Sequence, residues 1–122
     1  MGPVLIVDDN PYVVRVLERF MRLRECACES VGSVQDAIAR LESGDSFGAI
    51  FCDLGLTDGS GADVVRWIDT NRPDLVKRIA LITGGVAPPI LRDDGSGIQV
   101  KVVQKPVAMK DFLAVLDDLL AS

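Results

Sequence analysis

Histidine is absent from all 122 residues of this chain. No serine or cysteine nucleophile can therefore be activated by an imidazole, and no metal can be ligated by one. Cysteine is scarce: three thiols cannot complete a four-thiolate zinc site, and an odd count does not suggest a disulfide framework. Any metal here is consequently held by oxygen, which points to a hard cation such as magnesium. Basic excess is missing as well. A net charge of −5 argues against nucleic acid as a partner, because phosphate binding needs the opposite balance. No apolar run approaches the roughly 18 residues of a membrane span. The apolar N-terminal run has no basic start and ends in carboxylates, unlike a secretory signal. Cys26, Cys28 and Cys52 read as buried free thiols, which fits a reducing cytoplasm.

What is present is enough for a core. Hydrophobic residues make up 48% of the chain and charged residues 25%, which suits one ordered domain over residues 1–122. Val4 to Val7 is a short β-branched strand that stops at Asp8-Asp9. Asn10 caps a first helix with Pro11 at its first position, running to about Leu23 and burying Val13, Val16, Leu17 and Phe20. Cys26 to Val31 alternates, as a strand at a sheet edge does. Ser33 caps a second helix whose Val34, Ala37, Ile38 and Leu41 share a face, and Gly44 closes it. Ala49 to Asp53 runs apolar without alternation until its carboxylate, the pattern of a strand covered on both faces. Gly55 to Gly61 is too rich in glycine to be regular, and a third helix covers about Ala62 to Thr70.

Ile79 to Ile82 is a fourth strand ending at Thr83, and Val100 to Gln104 a fifth ending at Lys105-Pro106. Between them, Pro88-Pro89 and Asp93 to Gly97 leave room for only a turn or two at Ile90 to Arg92. Met109, Phe112, Leu113, Leu116, Leu119 and Leu120 mark an amphipathic last helix. Strand–helix alternation of this kind predicts an α/β domain around a five-stranded parallel sheet.

In such a sheet the strand ends lie along one edge, so Asp8, Asp9, Asp53, Thr83 and Lys105 converge. Singly, each has an ordinary meaning: a turn for Asp53 or Thr83, a solvated loop for Asp8-Asp9, a covering stem for Lys105. Together they suit a phosphoryl group. Crowded carboxylates resist full ionisation unless a cation intervenes, and magnesium favours their oxygens. One carboxylate could then attack phosphorus, while a threonine hydroxyl and a lysine ammonium grip the phosphoryl oxygens.

Leu5-Ile6-Val7-Asp8-Asp9, Asp53-Leu54, Gly61, Thr83-Gly84 and Lys105-Pro106, in this order, resemble the signature of response-regulator receiver domains in bacterial two-component signalling. The resemblance spans essentially the whole chain. It implies a flavodoxin-like doubly wound sheet of order 2-1-3-4-5, here with the helix of the fourth crossover short or irregular. It implies a phosphorelay role in which Asp53 accepts a phosphoryl group from a phosphohistidine. It assigns magnesium to Asp9, Asp53 and the Gly55 carbonyl, with Asp8 acting through water, and the phosphoryl grip to Thr83 and Lys105. The Lys105-Pro106 bond would be cis. The implied partner is a sensor histidine kinase or a histidine phosphotransfer protein, and the chain would be a monomer or weak dimer.

Three positions depart from the family pattern. Thr57 stands where proline is usual. Val102 replaces the usual aromatic three residues before Lys105, which would shift output to the loop Thr83 to Gly85. The interrupted fourth crossover would weaken a face through which many receivers dimerise. A stand-alone protein or a segment of a larger one, such as a hybrid histidine kinase, would fit equally. The alternative is a pseudo-receiver that binds partners without phosphorylation. An enzyme is disfavoured, since an aspartate-nucleophile phosphatase needs a second acid where Gly55 stands. Nucleotide or flavin binding is also disfavoured, because the first strand ends in two carboxylates instead of a glycine-rich turn.

Overall fold

The computed structural model describes residues 2–122. Its central sheet has five parallel strands: β1 (Val4–Val7), β2 (Cys28–Val31), β3 (Ala49–Asp53), β4 (Ile79–Thr83) and β5 (Lys101–Gln104). They lie in the order β2-β1-β3-β4-β5, as the sequence predicts. The burial pattern explains the order. Every residue of β1, β3 and β4 is buried, so these apolar runs occupy the middle. The alternating β2 has no fully buried residue and takes an edge. The strand is shorter than expected, however, and leaves Cys26 outside it. Cys26 and Cys28 are half-buried, and Cys52 alone of the thiols is enclosed. Burial pushes the Cys28 and Cys52 thiols up, away from the reactive thiolate.

Alternate residues of each strand feed two layers. Val4, Ile6, Phe51 and Ile82 face α1 (Pro11–Arg22) and α4 (Met109–Leu120), with the Phe51 and Phe112 rings 4.3 Å apart. Leu5, Val7, Cys52 and Leu81 face α2 (Val34–Glu42) and α3 (Gly61–Asn71). A 3₁₀ turn over Pro73–Arg78 leads into β4. The helix starts follow the sequence: Asn10 accepts from the Tyr12 N–H, and Ser33 from that of Asp36. On α1 the buried line is Leu17 and Met21. Val16, expected in the core, is 40% exposed because it sits one residue, about 100° of helix turn, away from Leu17. Met109, at the first turn of α4, is likewise exposed.

Two segments differ from expectation in kind. The glycine-rich stretch after β3 is regular: Gly55–Leu56 and Gly59–Ser60 pair as a small antiparallel hairpin with Thr57-Asp58 at its tip. The fourth crossover forms no helical turn at Ile90 to Arg92. Leu91 instead bridges Gly97, and Ile90 and Ile98 drop into the core. Pro88-Pro89 removes two donors, and Gly95 takes the positive φ of +86° that closes the turn. Arg92 then fastens this lobe to α3, with both Asp69 oxygens at 2.9 and 3.0 Å and the Gly97 carbonyl at 3.0 Å.

Gly61 joins β3 to α3 without room to spare. A Cβ there would lie 2.5 Å from the Asp53 carbonyl oxygen and 3.0 Å from a Leu81 methyl. Gly61→Ala is therefore expected to cost about 1–3 kcal/mol, read as a lower urea midpoint with an unchanged slope. An unchanged midpoint would mean that α3 can move off β3 at no cost.

Candidate functional site

Register brings the strand ends level. Val7 pairs with Cys52, Asp53 with Ile82, and Thr83 with Gln104, so Asp8, Asp53, Thr83 and Lys105 reach one edge of the sheet together. Asp8 continues β1 by donating its N–H to the Val31 carbonyl at 3.0 Å. Its Oδ1 accepts from the Asn10 N–H at 2.8 Å, which ties it to the cap of α1. Asp53 ends β3, and its Oδ1 accepts from the Gly55 N–H at 3.3 Å. Thr83 ends β4, with its hydroxyl oxygen accepting from the Gly85 N–H at 3.1 Å. Lys105 donates its own N–H to the Thr83 carbonyl at 2.8 Å, and its bond to Pro106 is cis.

The side chains converge as the backbone does. The Lys105 ammonium lies 3.2 Å from Asp53 Oδ2 and 4.0 Å from Asp8 Oδ2. Asp8, Asp53 and Thr83 are buried, whereas Asp9 is exposed and Lys105 partly so. Each of Asp8, Asp9 and Asp53 offers a carboxylate oxygen within 4.8 Å of the others. Asp8 Oδ2 is buried and accepts no hydrogen bond. An oxygen in that state is costly to bury. A lysine ammonium at 4.0 Å offsets the cost only in part. The donor set is all oxygen, anionic and open on the Asp9 side, which fits a hard divalent cation that keeps some of its water.

Electrostatics points the same way. Burial pushes the Asp8 carboxyl above its ordinary value of 3.8, and the neighbouring Asp53 and Asp9 charges add to the rise. The Asn10 N–H and Lys105 oppose it without cancelling it. All six site residues singled out in the sequence are brought to this edge, including Gly55 on the hairpin beside Asp53. Two further residues carry no chemical signature of their own. Gly61 was legible only as part of the resemblance. Asp58, whose carboxylate reaches α2, sits in the sequence as one more turn residue, and nothing in the pattern says which helix it meets.

A raised carboxyl has a defined consequence for stability. Above pH 3.8 the unfolded chain releases the Asp8 proton more readily than the folded one, so ionising Asp8 costs folding energy as pH rises. Asp8→Asn is expected to raise the thermal midpoint of the metal-free protein at neutral pH, with the gain shrinking as pH falls toward 3.8. Equal midpoints at neutral pH would remove the case for a strained Asp8.

Comparison with known proteins places this geometry. The response regulator receiver domain family matches residues 4–117. A hybrid signal transduction histidine kinase L from Dictyostelium discoideum is 36% identical over 85 residues, covering 67% of this chain and 5% of that protein. The acid tolerance regulatory protein ActR from Rhizobium meliloti is 40% identical over 87 residues, covering 69% of this chain and 43% of that protein. The chain thus spans less than half the length of either relative. Among solved structures, a response regulator from Chloroflexus aurantiacus superposes with a TM-score of 0.83 at 19% identity, covering 99% of this chain and 98% of that one. The chemotaxis response regulator CheY4 of Vibrio cholerae gives 0.80 at 19% identity, covering 98% and 99%. These two show the shared fold. Taken with the family match over nearly its whole length, they leave one assignment: the chain belongs to the response regulator receiver domains of two-component signalling.

Proposed function

We propose that this receiver domain takes a phosphoryl group onto Asp53 from the phosphohistidine of a sensor histidine kinase or a histidine phosphotransfer protein, in a magnesium-dependent reaction. One observation carries the reading. A buried carboxylate at a strand end has a lysine ammonium 3.2 Å away and two more carboxylates close enough to share a cation. Asp9, Asp53 and the Gly55 carbonyl would hold the magnesium, with Asp8 acting through water. When bound, the cation would neutralise charge that otherwise repels a phosphoryl group and would polarise its oxygens.

The chain's own residues supply the rest. A carboxylate oxygen of Asp53 attacks phosphorus; the new O–P bond forms as the N–P bond breaks, and the departing imidazole nitrogen keeps the bonding electrons and takes up a proton from water. Asp53 thereby becomes an acyl phosphate. The Lys105 ammonium faces the oxygen where charge accumulates, as a flexible point charge. The Thr83 hydroxyl, already accepting from Gly85 N–H, keeps its own hydrogen free to donate to a phosphoryl oxygen. This is self-modification of a signalling module. It requires no turnover of a small substrate. A cytoplasmic setting, as a separate protein or within a larger one, is consistent with the absence of any helix among the described residues long and apolar enough to cross a membrane.

With Val102 half-buried on β5 where the family usually carries an aromatic, the response to phosphorylation would be concentrated in the loop Thr83 to Gly85. Beryllofluoride with magnesium, which imitates the acyl phosphate, is expected to shift the amide signals of Asp53 and of Thr83 to Gly85 strongly and those of β5 weakly. Asp53→Asn should show none of these shifts. Matching spectra for the two proteins would sink the acceptor assignment and favour a pseudo-receiver. Shifts across β5 as large as those of the loop would sink the loop-borne response.

A further inference from the structure

The hairpin after Asp53 is fastened at its tip to a different part of the chain. Asp58 Oδ1 accepts from the Val34 N–H at 2.9 Å and Oδ2 from the Gln35 N–H at 3.0 Å. Ser33, the local cap, separately accepts from the Asp36 N–H at 3.0 Å. A helix leaves its first four N–H groups without intrahelical partners, and Ser33 satisfies one of them. The distant Asp58 carboxylate satisfies two more, and in doing so it also fixes the hairpin.

Both ends of this tie lie beside the acid cluster. On the hairpin side, the Gly55 N–H rests on Asp53 Oδ1 at 3.3 Å, and the Gly61 N–H closes the loop on the Leu54 carbonyl at 2.9 Å. On the other side, the turn into α2 backs onto the first strand's end. The Asp8 N–H donates to Val31 at 3.0 Å, and a Cβ at Gly32 would stand 3.9 Å from the Asp9 Cα. Asp58 thus spans from the loop carrying Gly55 to the turn packed against Asp8 and Asp9. The two N–H groups, Gln35 foremost, hold its carboxyl below the usual range, so it remains an anionic acceptor at neutral pH.

We propose that Asp58 is a positioning residue for the cation site: by tying the hairpin tip to α2, it fixes Gly55 relative to Asp9 and so sets the affinity for a divalent cation. The inference rests on the magnesium site proposed above and adds a residue that touches no ligand. Without the tie, the hairpin keeps its short ladder, its anchors at Leu54 and Gly61 and the packing of Leu56, but its tip is free, and part of the binding energy would go into ordering Gly55.

Calorimetric titration of the metal-free protein with magnesium chloride tests this, at a temperature where every variant is folded. Asp58→Ala is expected to bind about tenfold more weakly than wild type, the usual scale for a residue that orients ligands from behind. Asp58→Asn can accept from only one of the two N–H groups and should fall between them, which keeps the test usable if the alanine variant does not fold. Ser33→Ala weakens the cap of α2 but leaves the tie, and should bind as wild type does. Wild-type affinity in Asp58→Asn overturns the proposal, as does a loss in Ser33→Ala equal to that in Asp58→Ala. Failure of the wild type itself to bind magnesium overturns the site on which the proposal rests, and the two failures are distinguishable.

Discussion

Carboxylates crowded at the end of a parallel sheet are the constraint on which this molecule turns. Asp8 is buried, one of its oxygens lacks any hydrogen bond, and Asp53 and Asp9 stand within cation-sharing distance. An isolated domain gains nothing from such an arrangement, because burying unpaired charge opposes folding. Lys105 relieves the cluster only partly, from 3.2 and 4.0 Å. The strain is tolerable because the rest of the domain is conventional. Three central strands are wholly buried, and four helices cover the two faces of the sheet.

That division of labour explains which parts were legible in the sequence. The runs Val4 to Val7, Ala49 to Cys52 and Ile79 to Ile82 carry no alternation, so their central place and the convergence of their ends follow from burial on both faces. The edge position of β2 follows from its alternation. Proline and glycine in the fourth crossover correctly exclude a full helix. What replaced that helix was not legible, because the bridge from Leu91 to Gly97 has no pattern of its own and the fork of Arg92 on Asp69 is a contact across 23 residues.

Periodicity finds the buried side of α1 but not its width, so it puts Val16 inside although Val16 lies at the margin of the stripe. Glycine content makes residues 55–61 look irregular, yet none of these glycines takes a left-handed φ, and Gly55–Leu56 pairs with Gly59–Ser60 in a hairpin with Asp58 at its tip. The candidate site was more legible than the fold around it. Asp8, Asp53 and Thr83 each stand at the polar end of an apolar strand, whereas the register that brings those ends level comes from pairing with distant strands.

Burial first, and the Asp53 and Asp9 charges after it, hold the Asp8 carboxyl above its ordinary value, and a bound cation would release it from that condition. Following the Asp8 carboxyl carbon by NMR through an acid titration, with and without magnesium, measures this directly. The account predicts a midpoint above 3.8 in the metal-free protein and a clear fall on adding magnesium. An Asp8 that titrates at 3.8 in both conditions would contradict it.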